Sequence, residues 1–182
     1  MEQKIHQATP TYLQECLIAD LREMLDGALY RNPNETSTDA YIPMQVYGQN
    51  LPIPVNSGQE LEETAIDYDA EMFADPVYNC PWTLVKLDSG KIPGPNAKQS
   101  VIVALCFGVY NPEPENDGHK DILNLIQEVY ARFSNRPILG KAFRCLLDFE
   151  WSIQREDTFP YFFGAISMTF EMHGMRQENE FT

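Results

Sequence analysis

Three short groupings in this 182-residue chain have residue types that could do chemistry. His119 lies between Asp117 and Asp121, a set that could bind a metal or relay a proton. A metal site built on three ligands within five residues needs a second cluster to complete it. The other histidines, His6 and His173, sit in polar terminal stretches and offer none. Glu150, Glu156 and Asp157 could supply the paired carboxylates of glycoside hydrolysis. Cys16, Cys80, Cys106 and Cys145 are the only thiols, and none stand at C-x-x-C spacing. Each grouping also has a plainer reading. The two aspartates fit a helix start, where carboxylates face the positive end of the dipole. Glu150 falls on an outward strand face, and Glu156 and Asp157 fall in a turn. Cys16, Cys106 and Cys145 fall on apolar faces as small hydrophobes. The chain lacks the G-x-S-x-G elbow, the phosphate loop and the dinucleotide fingerprint. We therefore expect no catalytic residue, no metal and no cofactor.

The elements that hold these groups are legible from periodicity. Pro10–Ala28 reads as a helix with Leu13, Cys16, Leu17, Leu21, Met24, Leu25 and Ala28 on one stripe. Thr11 and Gln14 could form its capping box. Tyr41–Val55 carries alternate prolines in Leu51-Pro52-Ile53-Pro54, which excludes a central strand. It is either an edge segment packed on its own domain or an extended arm laid across a neighbour. Residues 58–75 contain seven acids and no Lys or Arg, without the glycine and spacing of an EF-hand loop. This acidic insertion reads as a solvated loop or short helix.

Cys80–Asp88 and Val101–Tyr110 read as an antiparallel hairpin around a long loop, Ser89–Ser100. The run Val101–Phe107 is apolar at every position, which marks a central strand covered on both faces. Turn residues Asn111–Gly118 lead into an amphipathic helix, roughly Asp117–Phe133, capped by Asn116 or Asp117. Phe143, Cys145, Leu147, Phe149 and Trp151 alternate with Arg144, Leu146, Asp148, Glu150 and Ser152, so the aromatic face goes to the core. A last strand, Tyr161–His173, precedes a loose polar tail, residues 174–182. The sum is one α+β domain spanning residues 1–182. It has a mostly antiparallel four- to five-stranded sheet and two helices packed on it.

The net charge is −14, with −11 of it in residues 1–80. Such a surface repels nucleic-acid backbones and anionic membranes. No signal peptide opens the chain, so we expect it in the cytoplasm and not secreted.

The segments "ALCFGVYNPEPENDGHKDILNLIQEVYARF" and "RPILGKAFRCLLDFEWSIQREDTFPYFFGAISMTFEM", with "PMQVYGQNLPIP" before them, resemble tail terminator proteins of long-tailed bacteriophages and prophages. The resemblance covers most of the chain and is weaker before residue 80. It implies a small α/β protein assembling as a homo-oligomeric ring, a hexamer. Such a ring caps the tail tube protein, stops its polymerisation and presents a surface to the head–tail connector proteins. DNA passes through the lumen without specific binding. The location implied is the virion neck, after assembly in the host cytoplasm. Alternatives are another head–tail joining protein, or a small-molecule-binding domain or enzyme with a site between sheet and helices. Inter-subunit contacts are expected at the arm (Met44, Tyr47, Leu51, Ile53) and at the hairpin loop (Lys91, Ile92, Lys98).

Overall fold

The computed structural model describes residues 8–33, 40–52, 80–94 and 97–173. The acidic insertion at 58–75, the tail 174–182, His6 and Ile53 lie outside the described residues. The described part is α+β. Helix α1 (Pro10–Met24) is followed by β1 (Leu29–Arg31), β2 (Tyr41–Pro43), β3 (Gln45–Gly48), β4 (Trp82–Lys91) and β5 (Gln99–Tyr110). Then come α2 (Gly118–Asn135), β6 (Ile138–Leu139), β7 (Phe143–Ile153) and β8 (Tyr161–Met172). Strands β1 and β2 form a small hairpin sheet of their own. The main sheet has six strands in the order β3-β4-β5-β8-β7-β6, one more than the upper bound read from sequence. The strand that the sequence reading lacks is the short edge β6, whereas the other edge, β3, falls within Tyr41–Val55. Only β3 runs parallel to its neighbour.

Strand parity decides what the sheet presents on each side, because successive side chains point to opposite faces. On one face lie Val101, Val103, Leu105, Phe107 and Val109 of β5, with Ile166, Met168 and Phe170 of β8, all buried. Both helices cover this face. Leu13, Leu17 and Leu21 of α1 are fully buried, as are Leu125, Val129 and Phe133 of α2. Burying one such side chain contributes about 1.5–3 kcal/mol. Helix α1 lies against β3 and β4 and also touches β6 near the opposite edge, so the sheet curls around it. At Gly140 a Cβ would come within 2.8 Å of Cys16 Sγ on α1, which requires glycine at that contact. Arg132 Nη2 donates to Asp20 Oδ1 at 2.5 Å and ties the two helices together.

Local signals behave differently from the overall pattern. The α1 cap is Thr9, whose Oγ1 accepts from Tyr12 N at 3.2 Å, and not Thr11. Gln14 instead donates to Val85 O at 2.8 Å. Neither expected residue caps α2 with its side chain. Asp117 pairs with Lys120, and Asn116 takes a positive φ of 56°. The loop between β4 and β5 is shorter than expected, since the strands continue to Lys91 and resume at Gln99. Among the described residues, no helix is long and apolar enough to cross a membrane.

Candidate functional site

The face of the sheet opposite the helices corrects two expectations. Among the described residues, strand β5 is not covered on both sides. Its even-numbered residues turn to a face that no described helix packs on, where Ile102 is 38% exposed and Ala104 and Cys106 are half-buried. That face is graded along the strands. At one end Trp82 lies over Gly108 and packs against Phe163, with Leu84, Tyr47, Leu51, Cys106, Tyr110 and Tyr161 around it. Toward the other end Lys86, Ser89 and Lys91 are exposed.

The second correction concerns β7. Phe143 and Cys145 are buried as expected, but Leu147 is 66% exposed and Trp151 58% exposed. The pairing with β8 slips between Cys145 and Phe149, so two extra residues bulge out of the ladder. Beyond the bulge Phe149 meets Tyr130 of α2 edge-on at 5.3 Å, and Ile153 packs against the core. Trp151, opposite the buried Ile166, is on the helix side by parity and yet stays exposed.

The expected contact residues separate into two groups at opposite ends of β4. Tyr47 and Leu51 join the aromatic cluster around Trp82, and Met44 is buried in the main core at 7% exposure. Met44 is therefore a packing residue and not a surface one. The segment containing it is an edge strand over Gln45–Gly48, hydrogen-bonded to its own domain. Lys91, Ile92 and Lys98 stand together at the hairpin tip, where Ile92 is 72% exposed and Lys98 Nζ pairs with Glu171 at 3.1 Å.

Each end of the sheet has a shallow depression. The one at the hairpin end, about 230 Å³, is lined by Lys98, Lys141, Arg144, Glu171 and His173 with Phe143 and Met172 beneath. The other, about 200 Å³, is lined by His119, Arg155, Glu156, Asp157 and Phe162. It brings together two groupings that sequence reading kept apart, His119 and the Glu156–Asp157 turn. Asp157 in its lining and Asp121 nearby have structural partners. Asp157 Oδ1 accepts from Phe159 N at 3.1 Å within the turn, and Asp121 Oδ2 accepts from Asn111 Nδ2 at 3.2 Å. With Asp117 held by Lys120, the three residues around His119 point to three different partners. Among the described residues no cluster of three His, Cys, Asp or Glu could hold a metal ion.

The thiols are free, and burial raises the pKa of all four. For Cys80 and Cys145 it pushes the pKa up to about 12, so neither is a thiolate nucleophile at neutral pH.

The two ends differ in charge. Lys91, Lys98, Arg136, Lys141 and Arg144 gather at the hairpin end, against Asp88 and Glu171. At the other end the loops after β5 and β7 hold Glu113, Glu115, Asp117, Glu156 and Asp157, against Lys120 and Arg155. Arg31 reaches that loop and pairs with Glu113. No protein-family model matches the chain, and no curated protein matches it in sequence.

Proposed function

We propose that this protein is a structural assembly protein of a phage tail, a terminator that forms a ring on the last layer of the tail tube. In this reading it ends tube polymerisation and joins the tube to the head connector, while DNA passes through the lumen. The observation that carries the reading is the unlike charge of the two ends of the sheet. A closed ring needs two different, complementary patches on each subunit. A cap between tube and connector also needs two unlike faces. A basic hairpin tip on a chain of net charge −14 supplies such asymmetry. The sequence resemblance supports the same reading, because its segments include Arg136, Lys141 and Arg144 at one end and Glu113, Glu115, Glu156 and Asp157 at the other. The ring is expected to be a hexamer, with Lys91, Ile92 and Lys98 of one subunit meeting acidic surface of the next.

The test is light scattering and electron microscopy of the purified protein, alone and mixed with polymerising tail tube protein. Rings, and tubes that stop growing when the protein is added, are the expected outcome. Deleting residues 92–97 should abolish rings and leave the circular dichroism and melting transition of the fold in place. Tubes that grow unchanged, with no ring on their ends, would sink the proposal.

A further inference from the structure

The two edges of the six-stranded sheet are finished differently. Edge β3 is four residues long, and its Val46 carbonyl accepts from Arg22 Nη2 at 3.0 Å. The other edge is covered by β6 only as far as Arg144, with one further bond from Cys145 N to Pro137 O. Past that point β7 has no partner strand on its outer side among the described residues. The direction of its free groups follows from one bond. Gln154 N donates to Phe163 O at 2.9 Å, so the even residues of this stretch bond toward β8. In an antiparallel ladder the alternate residues Phe149, Trp151 and Ile153 then turn N–H and C=O outward. Such an edge is a template for another strand, and proteins usually blunt it with Lys, Pro or a covering element. No Lys or Pro stands between Phe149 and Ile153, and no described strand covers them. Exposed apolar side chains flank it instead: Trp151, Leu147 and, on α2, Tyr130.

We propose that this edge pairs with a second copy of the chain, β7 against β7, antiparallel about a two-fold axis at Trp151. Charge selects the register. A two-fold at Glu150 would set two carboxylates directly opposite, which is destabilising. A two-fold at Ser152 sets Phe149 against Arg155. A two-fold at Trp151 sets Trp151 against Trp151, Phe149 against Ile153 and Glu150 against Ser152. That gives one unbroken apolar row on the helix side and no like-charge pair. A two-fold contact closes on itself, so it makes a dimer of the free protein and does not depend on the ring reading.

Cysteine cross-linking on the full chain tests the register. Opposed Trp151 positions would have Cα atoms about 5.5 Å apart, within disulfide reach, and Ser152 positions roughly 8 Å apart, beyond it. Under mild oxidation, Trp151→Cys should give a dimer band on a non-reducing gel far faster than Ser152→Cys or the parent chain. In sedimentation the parent should dimerise near ~0.1 mM, the range of a small interface, with at least about tenfold weaker association for Trp151→Lys. Trp151 is exposed, so that variant should keep the parent's melting transition. Equal cross-linking of both cysteine variants, or faster cross-linking of Ser152→Cys, overturns the proposal. Rings that form without a Trp151→Cys disulfide overturn it too, and leave the ring function standing.

Discussion

The two faces of the main sheet are built from the same strands yet do different work. On the helix side, β5 and β8 contribute an uninterrupted set of fully buried residues, closed over by α1 and α2. On the other side the same two strands contribute Ile102, Ala104, Cys106, Ser167 and Thr169, half-buried or exposed, with no described element above them. The first face holds the fold together. The second is mixed in character, with apolar and polar side chains side by side, and no described element covers it. Its one well-packed part, Trp82 over Gly108, lies at the acidic end, and the part near the basic hairpin tip is the more open.

Truncation should separate the faces most sharply. Phe170 is fully buried and meets Phe133 of α2 edge-on at 5.5 Å. Phe170→Ala should cost about 3–5 kcal/mol in denaturant unfolding, the range for large core truncations. Ile102→Ala, on the other face, should cost under about 1 kcal/mol, as surface changes do. Comparable losses at both positions would mean that the second face is as tightly covered as the first. A smaller effect is expected from adding one methyl. At Gly164 on the helix side a Cβ would stand 2.4 Å from Ile122 Cγ2 and 3.0 Å from Ser152 O, the latter a backbone atom. Neither neighbour can move without disturbing α2 or β7. At Gly108 on the open side the clash is with Trp82, 2.5 Å from its ring. That indole can swing outward. Overpacking typically costs about 1–3 kcal/mol, so Gly164→Ala should fall at the upper end and Gly108→Ala at the lower. The reverse order of melting temperatures would show that Trp82 is the more rigid of the two.

Much of this contrast was legible in the sequence, and the part that was not has identifiable causes. The order of β4, β5, α2, β7 and β8, and the buried stripe of α1, follow from periodicity, because each is long enough for its pattern to repeat. The three-residue β1 and two-residue β6 are too short to show a pattern at all. The apolar run Val101–Phe107 gave the wrong cover for β5, because hydrophobicity at every position does not say whether the second layer is this chain or another molecule. Alternation along β7 puts Trp151 on the core face. A bulge of two residues keeps the alternation while Leu147 and Trp151 stay exposed, and nothing in the residue types announces it. The caps failed for a different reason. Several Thr, Asn and Asp residues stand near each helix start, and tertiary partners such as Val85 O and Lys120 decide which is used. The hairpin tip was found by loop chemistry, whereas the polarity of charge between the two ends needed the register of all five long elements.

The thiols give the finest probe of the comparison, one with no effect at neutral pH. Cys145 turns to the helix side and is buried, and Cys106 turns to the open side and is half-buried. Burial raises both, Cys145 to about 12, from an ordinary value of 9.0. The neutral thiol is the form that the fold favours. Its contribution to stability is therefore complete below pH 9 and is lost as pH rises toward 12, since the unfolded chain releases its proton first. Melting temperature should be flat in this respect from pH 7 to 8.5 and should fall above pH 9. Cys145→Val should lessen that fall, and Cys106→Val should change it less. A thiol reagent at pH 8 should modify Cys106 before Cys145, because only the half-buried thiol is reached without unfolding. If Cys145 reacts first, the helix-covered face opens more readily than the bare one, and the division of labour between the two faces is reversed.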